Sequence, residues 1–169
     1  MTLIILLRLV HIVFGIFWVG AVVFMALYLI PSVRDAGPDG AKVMQALQRR
    51  HVLEIVPIAA GLTILSGLWL YWHDSAGHAG WARTPMGTTL GLGALFALAG
   101  FVVGVFVMRA ATIQAGKLAA SLQGLPAGPE QDARAATVQR LRRRAAVSAR
   151  WVAALLILAA GLMAVARYA

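Results

Sequence analysis

LIILLRLVHIVFGIFWVGAVVFMALYLIP, residues 3 to 31, decides the fold class. Only Arg8 and His11 interrupt its apolar run before Pro31. About 20 apolar residues are enough to cross a hydrocarbon core. The stretch therefore reads as a transmembrane helix from Leu3 to Ile30, ended by Pro31, which has no backbone donor. A cleaved leader would carry a leading basic region and a shorter apolar run. The segment is accordingly expected to be retained as a span.

Three further stretches have the same character: 52–72, 87–108 and 151–168. Inside hydrocarbon the backbone must satisfy its own hydrogen bonds, so all four are expected to be helices. The whole composition agrees. Of 169 residues, 61% are hydrophobic and 12% are charged. Soluble domains run at about 45–50% and about 25%. A soluble globular domain and a disordered chain are both excluded. The expected fold is all-α: a polytopic four-transmembrane-helix bundle, one membrane domain over residues 1–169.

Orientation follows from the basic residues. Twelve of the 15 Lys and Arg fall in two segments, 31–51 and 109–150. The segment between spans two and three holds only Arg83. The positive-inside rule puts the two basic loops in the cytoplasm and both termini outside. Trp69, Trp72 and Trp81 then mark the outer boundary as an aromatic belt. Arg140, Arg142, Arg143 and Arg144 suit anionic lipid headgroups rather than nucleic acid. The basic loops are expected to carry helical extensions of spans two, three and four. Helix two is expected to start near Asp39, helix three to reach Leu122, and the turn to fall at LPAGPE from Leu125.

Small residues mark the expected packing faces: Gly87/Gly91 and Gly100/Gly104 in span three, and Gly61, Ser66 and Gly67 in span two. Pro57 is expected to kink span two. At an offset of 94, nine residues between Gln45 and Leu68 recur between Gln139 and Leu162. That pattern suits two duplicated hairpins as well as chance matching of Ala- and Leu-rich spans.

Chemistry points first to His11, because ionisable groups inside a span are expensive and usually functional. It lies about 8 Å outward of the span's midpoint at 1.5 Å rise per residue. Gly15 and Trp18 share its face at helical spacing, and Arg8 is one turn outward. Imidazole can ligate haem iron, glycine can admit the flat ring, and arginine can hold a propionate. Gly67 and Gly91 to Gly93 fall at similar depth and could leave a slot. Met163 is the candidate second axial ligand. The alternative is a histidine that only bonds a neighbouring helix. His73, Asp74 and His78 form a second cluster, readable as a metal site or as a solvated loop. Arg50 and Glu54 are spaced to pair across one turn. Cysteine is absent, which excludes disulfides and thiolate chemistry. The six methionines are scattered, unlike a copper relay. No phosphate loop, catalytic triad or paired carboxylates occur.

The first span, with the Val10-His11 pair, Trp18, Gly20 and closing Pro31, resembles the opening helix of a group of bacterial inner-membrane proteins. This group includes the copper-resistance-protein-D-like family and the HemJ-type protoporphyrinogen oxidases. The basic stretch leading into AAGLTILSGLWL, with Gly61 and Gly67, is similar too. The resemblance implies a four-helix inner-membrane protein with haem b on His11. HemJ-type proteins also use a lysine in a later span, whereas Lys42 and Lys117 here lie in the basic segments. The expected function is haem-b binding in electron transfer or as a redox subunit. The rival is a non-catalytic assembly subunit, with membrane-protein partners or further copies of itself. A transporter ranks third, because its usual intramembrane polar groups and broken helices are scarce.

Overall fold

The computed structural model describes residues 2–76, 78, 80–122, 124 and 126–169. Among the described residues, four helices are long and apolar enough to cross a membrane. We label the helices α1 (Thr2–Asp35), α2 (Gly37–Arg49), α3 (Val52–Ser75), α4 (Pro85–Ser121) and α5 (Pro129–Tyr168). No strand occurs among the described residues. The expected extensions of spans three and four are present. Leu125, the first residue of the expected turn, lies outside the described residues.

Two expectations about helix ends are corrected. Pro31 does not end the first helix, which continues to Asp35. In a regular α-helix the proline ring would clash with the carbonyl four residues back. Here Met25–Leu29 form a π turn, and the Ile30 amide reaches back to the Met25 carbonyl. The widened turn takes up the disruption. Helix two does not begin at Asp39 either. Residues 37 to 49 form the separate amphipathic α2, and α3 starts at Val52. His51 between them has φ 56°, a left-handed conformation that stops helix propagation. At the other end of α2, Gly37 has φ 58°. A Cβ at Gly40 would collide with the Val33 carbonyl, so that close corner needs a glycine. The strap α2 is thus bounded at both ends by a left-handed residue.

The four long helices form two close pairs, α1 with α3 and α4 with α5. Lighter contacts of α1 with α5 and of α3 with α4 close the bundle. The core combines Trp18, Val22 and Ala26 with Val56 and Ala60, and with Ala149, Val152, Ala153 and Leu156. Alanine is the commonest core residue, and small residues let helix axes come close. The outer surface is apolar as well: Ile16 is 70% exposed, Leu65 69% and Phe106 70%, against 4% for Trp18. A water-soluble monomer rarely shows such a surface.

The glycines divide by what they face. A Cβ on Gly93 would lie 3.2 Å from the Ala159 carbonyl and 3.0 Å from Met163 Cγ. One on Gly100 would lie 3.2 Å from Leu156. These two, with Gly104, seat α4 against α5. Gly61, expected at a packing face, has nothing within 4 Å. Its expectation is corrected: it lies where a side chain would have open space. Gly93→Val should therefore destabilise the fold by about 1–3 kcal/mol through overpacking. Gly61→Ala should be neutral or stabilising by up to about 1 kcal/mol. Thermal unfolding of both variants in one detergent checks the contrast.

Candidate functional site

His11 is held at the seam between α1 and α3. Its Nδ1 lies 2.8 Å from the Thr63 carbonyl. A carbonyl can only accept, so Nδ1 is the donor, and a neutral ring keeps its lone pair on Nε2. The ring fits because residue 67 is glycine. A Cβ there would sit 2.6 Å from His11 Cε1 and 2.9 Å from Nδ1. The α3 side of the seam is itself polar but satisfied. Thr63 Oγ1 donates to the Ala59 carbonyl at 2.8 Å, and Ser66 Oγ donates to Leu62 at 2.6 Å. Metal-ligating histidines commonly donate their other ring N–H to a backbone carbonyl in this way.

Of the remaining residues of the expected haem constellation, Gly15 packs on the same Thr63, while Trp18, Met163 and Arg8 contact other groups. Gly15 faces Thr63, whose Cγ2 would be 3.4 Å from a Cβ there. Trp18 is buried at the bundle centre, edge-on to Phe101 with ring centroids 6.4 Å apart. Met163 packs over Gly93 on α4. The slot expected from Gly67, Gly91 and Gly93 is filled at each glycine, by His11, Tyr71 and Met163 respectively. Arg8 lies 3.7 Å from Asp74 Oδ1, bridging the ends of α1 and α3. His73 also reaches Asp74, at 3.4 Å. No group of three His, Asp or Glu side chains suited to a metal occurs among the described residues, so His73, Asp74 and His78 form no such cluster. Glu54 pairs with His51 at 3.9 Å, not with Arg50 as expected. The left-handed turn at His51 breaks the helical spacing on which that expectation rested.

A second locus, at the basic end of the bundle, escaped the sequence reading. Pro57 has no N–H, so the Leu53 carbonyl lacks its helical donor. Arg109 Nε, from α4, donates to that carbonyl at 3.0 Å. Arg109 is the last residue of a second π turn, Val103–Arg109. The extra residue rotates the following face by about 100°, one residue's turn in a helix of 3.6 residues per turn. It brings Ala111 and Ala115 into buried positions and continues the packing of α4 on α5. Beside the Arg109–Leu53 contact lies a cavity of about 80 Å³. Trp18, Phe101 and Val152 form its inner wall, and Met44 of α2 contributes from the basic end. Three disruptions of regular helix thus border one cavity: the π turn of α1 through Met25, Pro57 of α3, and the π turn of α4. The sequence marks only Pro57. Nothing in Val103–Arg109 announces a π turn.

No family model, no curated protein and no solved structure matches the chain.

Arg109→Met should destabilise the protein by about 1–3 kcal/mol, since it leaves the Leu53 carbonyl without that partner. In a Pro57→Ala background the helix regains its own donor, and the loss should shrink to a few tenths of that. A double-mutant cycle from chemical or thermal unfolding reads the coupling. Strict additivity would show that Arg109 does not compensate for Pro57.

Proposed function

We propose that the chain is a small haem-b-binding protein of the bacterial inner membrane, engaged in electron transfer or as a redox subunit of a larger assembly. The observation that carries this reading is the His11–Thr63 contact, which fixes the imidazole with Nε2 as its available base. Haem, when bound, supplies one-electron redox chemistry whose potential depends on burial and on hydrogen bonding around its ligand. The Thr63 carbonyl orients the ring, and Gly67 admits it. Arg8, 59% exposed at its side chain and only loosely paired with Asp74, is free to turn to a propionate. Trp18 and Met163 have other neighbours, so this reading is narrowed to a single protein ligand on the α1/α3 seam, where Gly15 packs on the same Thr63.

The topology proposed with it follows the charge pattern. The α2 strap and the α4–α5 hairpin face the cytoplasm, with Arg140, Arg142, Arg143 and Arg144 against anionic lipid. Both termini lie outside.

A second reading has its own support. The His11 hydrogen bond, with Gly67 making room for it, is enough by itself to pin α1 to α3. On that reading the protein is a non-catalytic membrane subunit, and its exposed apolar faces meet lipid, partner proteins or further copies of itself.

The two readings separate by absorption spectroscopy. Protein purified from haem-replete cells should show a Soret band and, after dithionite, an α-band. His11→Ala should abolish both, and Gly67→Ala, which displaces the ring, should reduce haem content severalfold. A colourless preparation that unfolds cooperatively on heating would leave the assembly reading standing and overturn the haem reading.

A further inference from the structure

We propose that the cavity at the basic end binds the apolar chain of an amphiphile whose anionic head sits on Arg109. The site is independent of His11. Arg109 and Thr112 are the polar side chains in an otherwise apolar lining. The cavity's roughly 80 Å³ compares with about 10–15 Å³ for one water-sized occupant. It therefore has room for several chain carbons rather than one solvent molecule. An apolar lining gives water too few partners to stay there, while a hydrocarbon chain needs none.

The charge at the site points to the sign of the head. Arg109 spends Nε on the Leu53 carbonyl and has no acidic partner among the described residues. Its two terminal nitrogens can hold a carboxylate or a phosphate in a bidentate grip. Pro57 and the π turn ending at Arg109 fix the guanidinium at the cavity's edge. The strap α2, bounded by the left-handed Gly37 and His51, contributes Met44 to the lining and reaches α4, where Gln48 lies against Gly116. Two sources share this chemistry: a free fatty acid and a bilayer phospholipid with an anionic head.

Purified protein in neutral detergent is titrated with oleate, phosphatidylglycerol or phosphatidylcholine and read by native mass spectrometry. One saturable site is expected for oleate or phosphatidylglycerol, at least tenfold tighter than for phosphatidylcholine. Tighter oleate binding identifies a free fatty acid, and tighter phosphatidylglycerol binding a membrane lipid. Arg109→Gln in the Pro57→Ala background removes the charge while the Leu53 carbonyl regains its helical donor. It should weaken binding at least tenfold, whereas Arg109→Lys in that background, which keeps the charge but not the bidentate grip, should weaken it less. A Cβ on Gly104 would lie 3.9 Å from Val152 Cγ1, an ordinary contact, so Gly104→Leu can fill the cavity without a backbone clash. It should abolish the saturable site. If it fails to fold, Gly104→Ala, which adds one methyl, should still weaken binding measurably. Binding that ignores the headgroup charge, or that survives both the Arg109→Gln and the Gly104 substitutions in folded protein, would overturn the proposal. So would the absence of any saturable site.

Discussion

In a chain whose outer surface is largely hydrocarbon, a peptide group that loses its helical partner must find another within the molecule. Burying it unpaired costs about 1–3 kcal/mol on mutational scales. That constraint makes the long segments helical, and it accounts for how their interruptions are handled. At Pro57 the orphaned Leu53 carbonyl takes Arg109 Nε from the neighbouring helix. At Pro31 the disruption is absorbed upstream, by the π turn of Met25–Leu29. One remedy draws on another helix and the other stays within its own. Only the first ties two helices together, and it adjoins a cavity within the bundle.

Close packing is the second determinant. Helices in lipid gain little from the hydrophobic effect on association and rely on van der Waals contact, which small residues permit. Gly93 and Gly100 seat α4 on α5, while Gly67 seats His11 on α3. The same residue type serves two purposes. In the first case a helix backbone approaches; in the second a polar ring is admitted and hydrogen-bonded. His11 is thereby both a structural pin and an imidazole with its second nitrogen left as a base. The two proposed readings of the protein differ only in what that nitrogen meets.

Much of the fold was legible. The four apolar segments near 3–30, 52–72, 87–108 and 151–168 all lie within the long helices, and spans three and four extend as expected. The errors came at interruptions of regular helix, where the backbone changes register or conformation without ending the way the local rule expects. Proline was read as a terminator at Pro31, yet a π turn is a register change that hydropathy does not reveal. The break at His51 is a left-handed residue without a glycine to announce it. Of the candidate site, His11 and Gly67 were legible as a polar residue and a small one at similar depth. Their direct contact was not, because spacing along one helix says nothing about the rotation of the next. Trp18 shares a face with His11 in sequence, but it points into the bundle centre at a different level.

The sequence by itself determined the class: all-helical, four segments able to span hydrocarbon, basic residues gathered in two segments, and no cysteine chemistry. Those properties are sums over residues or periodic along one helix, so one dimension suffices to read them. The tertiary structure decided which helices pair, which glycines are filled, that Arg109 serves Leu53, and that three helix irregularities border one cavity. Each of these depends on helix rotation and depth relative to a neighbour. Because α1 and α4 each contain a π turn with one extra residue, their faces shift by about 100° at points the sequence does not mark.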